Sequence, residues 1–469
     1  MKTLRYIFSG LLLMLAGFIH GQSSPFHYNI ELNGIGSTGN FAPFWFQSKN
    51  YGKISSKPNS ISCQLEFFKP FVNPDKKFEI AYGLKLNTGI AQSENPSLFI
   101  QEAYIKGRWL IFDMSIGMEE RKSLITDSEL STGDLLISQN FRPIPQIRAG
   151  IEEFTAIPFT KGYAEIRGAL AHGWFADGVF APGIMFHHKF AHVRLGGKLP
   201  FRLQYGFEHA AEWGGNIPGN GDQSFTLSKF ARVFLAKSGD GNSSNLEQAN
   251  ALGNHIISTH LKAEGRIGEF NINAYWINML EDRPVRLFPW LTMNTRDGLW
   301  GLNISHDKLK FFKGFVYEYM NTLDNSGPWH DKDGIIYGGL DSYFRNVIYN
   351  NDWAHFGRTI GNPLILSPVF NQDGNYRIFY NHVRAHHMGI NGSIGTINYK
   401  VLGTFADYYI YNQKPAHRNI FWMIEAGKKL PELEDMELTV KIGGNAGDIP
   451  GNTTGLMISI RKAGILFPK

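Results

Sequence analysis

The sequence predicts an all-β chain, a transmembrane antiparallel β-barrel of the outer-membrane kind. Three observations predict it. Apolar and polar residues alternate with period two in one segment after another, the spacing of a strand with two unlike faces. Aromatic residues make up 14% of the chain and glycines number 51 of 469, which suits interfacial girdles and a curved sheet. Helical periodicity is weak: Asn245–Leu252 is short, and Ser123–Ser138 is a second, poorer candidate.

The alternation is clearest in Leu110–Met118, where Leu110, Phe112, Met114, Ile116 and Met118 share one face. Phe201–Glu212, Phe78–Leu86, Phe311–Tyr319 and Ile397–Asp407 repeat it, and Met436–Ile442 and Leu456–Ile460 carry it to the end of the chain. The polar faces carry small and charged residues, as a watery lumen requires. Strands of about 9–11 residues satisfy their backbone groups in lipid only when the sheet closes. The chain has room for roughly 16 to 18 of them. The competing reading is a large soluble periplasmic β protein, which would ordinarily show some convincing amphipathic helices.

Residues 1–21 read as a secretory signal: Lys2 and Arg5, an apolar run from Tyr6 to Phe18, then Gly21. That run is too short to span a membrane. Cleavage there leaves residues 22–469 as one barrel domain. The junction has no lipobox cysteine, so no lipid anchor is expected. The formal net charge of +5 falls further when Lys2 and Arg5 leave, and no block of like charges stands out. Nucleic acid is therefore not an expected partner. Cys63 is the single cysteine, which excludes an internal disulfide and a cysteine-based zinc cage. The carboxyl end, Ile465-Leu466-Phe467-Pro468-Lys469, departs from the terminal aromatic of many outer-membrane barrels.

Motifs for chemistry are weak. Gly34–Gly39 (GIGSTG) matches a dinucleotide-binding spacing, but NFAPFWFQSKNYG behind it cannot be the required helix. A glycine turn after a first strand is expected instead. His187-His188 with His192, and His386-His387, invite a metal, yet neighbours in a strand point to opposite faces and cannot chelate one ion. No metal and no cofactor are expected. Asp331-Lys332-Asp333-Gly334 and Asp240-Gly241-Asn242 resemble the starts of calcium loops without completing them. Gly-x-Ser-x-Gly is absent, and the acid pairs Glu119-Glu120 and Glu152-Glu153 suggest no hydrolytic geometry.

Asp341–Leu364 (DSYFRNVIYNNDWAHFGRTIGNPL) mixes aromatics with amides, acids, arginines and a histidine. Sugars present apolar ring faces and hydroxyl pairs, which aromatic rings and planar polar groups match. Asn350, Asn351, Asp352, Trp353, His355 and Arg358 supply that set. Trp353 is the expected stacking platform, with Asn350, Asp352, His355 and Arg358 as polar contacts. The alternative is that these residues plug a wide barrel and satisfy one another.

Several stretches, in their order, carry a resemblance to the capsule assembly Wzi family of outer-membrane proteins, in its Bacteroidetes-like version. They are Pro43–Ile54, which looks like the family's first strand and turn, Leu135–Ile147, Phe154–Gly178, His187–Gly197, Phe207–Gly215, and the block His355-Phe356-Gly357-Arg358 with Ile360-Gly361-Asn362-Pro363-Leu364. The resemblance covers nearly all of the chain beyond the signal. It implies a barrel of about 18 strands whose outer mouth is closed by loops. It implies a non-enzymatic surface lectin holding capsular polysaccharide. Expected partners are then surface polysaccharide, outer-membrane lipid and the barrel assembly machinery. The periplasmic helical bundle of some members is not evident. The remaining alternatives are a porin or substrate channel and an outer-membrane hydrolase.

Overall fold

A computed structural model describes residues 25–466 except 74, 220, 242, 282–293, 295 and 411–414. The expected signal segment and the terminal Phe467 lie outside the described residues. The described residues form a closed antiparallel barrel of 18 strands. The strands are β1 (His27–Ser37), β2 (Asn59–Lys69), β3 (Phe78–Ala91), β4 (Ser97–Trp109), β5 (Phe112–Met118), β6 (Gln146–Ala156), β7 (Ala164–Trp174), β8 (Met185–Leu195) and β9 (Phe201–Trp213). They continue as β10 (Asn254–Ile267), β11 (Phe270–Glu281), β12 (Gly298–His306), β13 (Gly314–Asn321), β14 (Val383–Ile394), β15 (Ile397–Tyr408), β16 (His417–Leu430), β17 (Met436–Gly447) and β18 (Thr453–Ile465). Each strand pairs with its neighbour in sequence, and β1 closes the ring on β18, with His27 opposite Ile465. Closure removes the unpaired edges that an open sheet would expose in lipid.

Side-chain alternation sorts the two surfaces. In β5, Phe112, Met114 and Ile116 are exposed while Asp113 and Ser115 are buried. In β18, Leu456, Ile458 and Ile460 face out while Met457 and Ser459 face in. A wall that is apolar outside and polar inside is the pattern lipid demands. Phe78, Trp109, Phe112, Phe201 and Phe270 stand exposed at the rim that carries the short turns, as an interfacial girdle does.

The two rims differ. One has both chain ends and short turns such as residues 110–111, 268–269 and 395–396. The other has the long loops 38–58, 119–145, 214–253 and 322–382. Much of the long-loop sequence folds into the barrel. The main apolar core runs without a break from Phe41 and Phe44, through Leu135 and Leu136, to Tyr343, Trp353, Leu364 and the wall residue Phe421.

Four sequence expectations change here. Pro43–Ile54 is not a strand: α1 (Phe44–Gln47) forms a single buried turn inside the barrel. Ser123–Ser138 is not a helix, because the Asp134 carboxylate captures the backbone N–H groups of Leu124, Ile125 and Thr126 at 2.6, 3.2 and 3.0 Å. Gly34 and Gly36 belong to β1, and only Gly39, at φ 77°, turns the chain. Leu110 and Ile111 form the turn before β5 rather than part of it. The short helix expected at Asn245–Leu252 is present as α3 (Asn245–Ala249), capped by Ser244 and Glu247 in a reciprocal box. It follows α2 (Leu227–Phe234) in the loop between β9 and β10.

Candidate functional site

The plug is built from loop stretches that supply one another's missing partners. Residues 135–138 run beside residues 360–362: Ser138 N–H donates to Ile360 O at 2.9 Å, and Asn362 N–H to Leu135 O at 3.0 Å. Asn362 Nδ2 also reaches Gly133 O at 2.6 Å. Gly361 is required here, because a Cβ would sit 2.1 Å from Leu135 O and 2.4 Å from the Phe344 ring. The wall grips the plug through Glu318 of β13, which accepts from Thr132 N–H at 2.7 Å. Buried backbone is thus paired without regular secondary structure, which lets a loop occupy a lumen.

The five expected sugar contacts sit inside this plug. Trp353 is 0% exposed; its Nε1–H donates to Leu136 O at 2.9 Å, and its ring lies 6.1 Å from Phe186. Asp352 is 0% exposed, pairs with Arg377 at 2.9 Å and accepts from Ile378 N–H at 2.7 Å. Burial raises its carboxyl pKa against the pull of Arg377 and these hydrogen bonds. Asn350 Oδ1 accepts from the same Arg377 guanidinium.

His355 bridges two backbone groups: Nδ1–H donates to Arg142 O at 2.9 Å, and Nε2 accepts from Ala176 N–H at 3.2 Å. That arrangement requires the neutral ring. Burial lowers its pKa to about 4, in agreement. Arg358 donates to Gln47 Oε1 at 2.7 Å and Ile54 O at 2.9 Å, and burial lowers its pKa to about 10. Every polar group of the set except the partly buried Asn350 is enclosed by protein. The set is coherent, but it faces the barrel's own loops and offers no sugar a free ring.

A different set is accessible on the long-loop rim. Residues 370–373 and 379–380 meet the loop between β17 and β18 around a cavity of about 370 Å³. Asn371, Gln372, Asp373, Phe379, Tyr380 and Asp448 line it. Gln372, Asp373 and Asp448 are exposed, and Phe379 and Tyr380 are half-buried. The turn is locked locally: Asn371 Nδ2 donates to Asn375 O and Arg377 O at 2.6 and 2.8 Å, and Asn375 N–H to Asp373 Oδ1 at 3.0 Å. Tyr376 stands 58% exposed on the same turn. His417, the first residue of β16, approaches Asp448 at 3.2 Å. The sequence held a signal for this site: NQDGNYRIFY, Asn371–Tyr380, repeats the chemistry of Asp341–Leu364 a few residues later.

Below the plug, toward the short-turn rim, lies a charged vestibule of about 480 Å³. Lys106, Arg108, Arg121 and Arg148 face Asp113 and Glu152 across it. Higher on the same wall, Lys85 meets Glu102 at 2.6 Å and Glu120 at 2.9 Å. The signs interleave, so the vestibule presents no field of one polarity. His187 and His188 point to opposite sides of the wall, as strand geometry requires. His188 Nε2 lies 2.9 Å from Glu208 inside, while the His187 ring lies 5.7 Å from Phe230 outside. Gly206, opposite His192 on the same strand pair, is a close-approach glycine, since a Cβ would fall 1.9 Å from the His192 ring. The calcium-like Asp331–Gly334 stretch is a hairpin turn in which Asp331 Oδ1 accepts from Gly334 N–H at 3.0 Å.

No protein-family model matches the chain, and no curated protein matches it. Solved structures do match. One is the Escherichia coli Wzi protein, described as an outer membrane protein involved in group 1 capsule assembly and a carbohydrate-binding β-barrel. The two are 12% identical over 92% of this chain and 84% of that one, with a TM-score of 0.59. Acinetobacter baumannii OccAB2 matches at 7% identity over 95% of this chain and 98% of that one, TM-score 0.50. Pseudomonas aeruginosa OccK2 (OpdF) matches at 8% identity with the same coverages and TM-score. At these identities the likeness establishes the fold, which is the closed 18-stranded antiparallel barrel of outer-membrane proteins.

Proposed function

We propose that this chain is a non-enzymatic outer-membrane barrel of the Wzi kind that binds surface polysaccharide and keeps it on the cell. The observation that carries the reading is the division of labour between plug and rim. The lumen is filled by a continuous packed core, while the long-loop rim offers a cavity with aromatic and hydrogen-bonding walls. The long-loop rim is then the extracellular one, and the short turns with both chain ends are periplasmic. Phe379 and Tyr380 supply ring faces for a sugar, and Gln372, Asp373 and Asp448 supply partners for its hydroxyls. The Trp353 set holds the plug beneath. Each contact is weak, and repeated engagement along one polymer strengthens it.

The test is binding of the host's purified capsular polysaccharide to the purified barrel. Tyr380→Ala combined with Asp448→Ala is expected to lower affinity about tenfold, on the order of 1.4 kcal/mol, with the barrel intact. Unchanged affinity overturns the rim site. The charged vestibule favours a second reading, a gated channel. Steady single-channel current through the wild-type barrel in a planar bilayer would support it.

A further inference from the structure

The loop between β9 and β10 leaves the rim and folds down the outside of the wall. Outward positions on β8 and β9 change character along their length. Toward the short-turn rim they are exposed and apolar: Val193 and Leu195 on β8, Phe201 and Leu203 on β9. Toward the long-loop rim the outward residues include His187, Lys189, His209 and Trp213, with His172 and His255 beside them on β7 and β10. These imidazoles point away from the lumen, yet His187, His209 and His255 are buried. Imidazoles in direct contact with hydrocarbon would be costly. α2 covers them instead. Phe230 and Phe234 lie 5.7 and 5.8 Å from the His187 ring, and Val233 joins Met185, Trp213 and Leu252 in a small core of its own.

The flank of α2 beside this inner face is also apolar. Leu227, Ala231 and Leu235 are spaced four apart, so they line one side, and all are exposed, Leu227 at 75% and Leu235 at 51%. Phe225 and Leu246 extend the patch. A broad apolar side that the wall covers only in part needs a second apolar neighbour. The uncovered flank is continuous with the lipid-facing band directly beneath it on β8 and β9. Lys229 and Arg232 lie on the remaining, polar side, where basic side chains can reach lipid headgroups.

We propose that α2 is seated in the outer leaflet, with Leu227, Ala231 and Leu235 against acyl chains and its inner face roofing the imidazoles. It rests on the outer-membrane reading above, and the loop becomes a membrane anchor rather than part of the polysaccharide surface. The test uses the full chain in lipid vesicles in a Cys63→Ser background, with a nitroxide label on Ala231→Cys. Ala191→Cys, outward on β8, is the lipid reference, and Asp373→Cys on the rim is the water reference. Collision with oxygen and with a water-soluble nickel chelate is compared. The expected result is that the label at 231 resembles that at 191, favouring oxygen. If 191 favours oxygen but 231 behaves like 373, the proposal falls and the barrel reading stands. If neither 191 nor 231 favours oxygen, both fall. Dipolar broadening between labels at 231 would identify a second copy as the occupant and also overturn the proposal.

Discussion

Asp341–Leu364 and Asn371–Tyr380 are nearly neighbours in sequence and share one chemistry of aromatics, amides, acids and arginine. They end in opposite environments. Trp353 and His355 are enclosed, with their polar atoms spent on Leu136, Arg142 and Ala176. Gln372, Asp373 and Tyr376 are open to solvent. Composition marks a stretch able to bind sugar or to satisfy a buried backbone equally well. What separates the two is where the partners come from. The first stretch meets other long loops inside a closed ring, and the second crosses the rim.

The largest expected effect tests the buried member. Trp353→Ala removes a fully enclosed indole and should cost about 3–5 kcal/mol, read as a lower denaturation midpoint and as new protease cleavage in residues 342–382. If Trp353 were a sugar platform, stability would hold and only binding would fall. Next, Arg358→Ala leaves Gln47 Oε1 and Ile54 O without their donor, a loss of about 1–3 kcal/mol by the same denaturation assay.

Acid should loosen the plug as well. The folded-state pKa of His355 is about 4, below the ordinary imidazole value, because burial disfavours the charged ring. A depressed folded pKa contributes stability that is present above the unfolded value, about 6.5. That stability is lost as pH falls toward 4, and it amounts to roughly 3 kcal/mol at most. Protonation removes the acceptor that Nε2 offers to Ala176 N–H. His355→Gln should flatten that part of the pH profile in a proteolysis assay. The smallest effect on stability belongs to the exposed member. Asp373→Ala should shift unfolding by less than about 0.5 kcal/mol and weaken polysaccharide binding measurably.

Much of the barrel was legible in the sequence. Period-two alternation located β3, β5, β9, β13, β15, β17 and β18, because an amphipathic wall imposes that period on every strand. Boundaries slipped where tight turns kept the apolar pattern, as at Leu110-Ile111, and where Phe311–Lys313 precede the true start of β13 at Gly314. The plug was harder to read. Its backbone is satisfied by contacts distant in sequence, such as Asn362 to Gly133, and no local period encodes them. The Asp134 carboxylate likewise overrides the helical look of Ser123–Ser138 from within the same loop. α2 was missed although Thr226 caps it through the Lys229 N–H and its apolar residues gather on one broad side, because eight residues are little more than two turns, too short a window for the helical period to stand out.

The central claim is retention of polysaccharide by the rim above a closed lumen. It is tested most directly in a deletion strain of the native host by measuring capsular polysaccharide on washed cells against that shed into the medium. The account predicts an unchanged total with most of it moved to the medium. Wild-type protein should restore attachment, and the Tyr380→Ala, Asp448→Ala double variant should not. Normal attachment in the deletion strain would contradict the account.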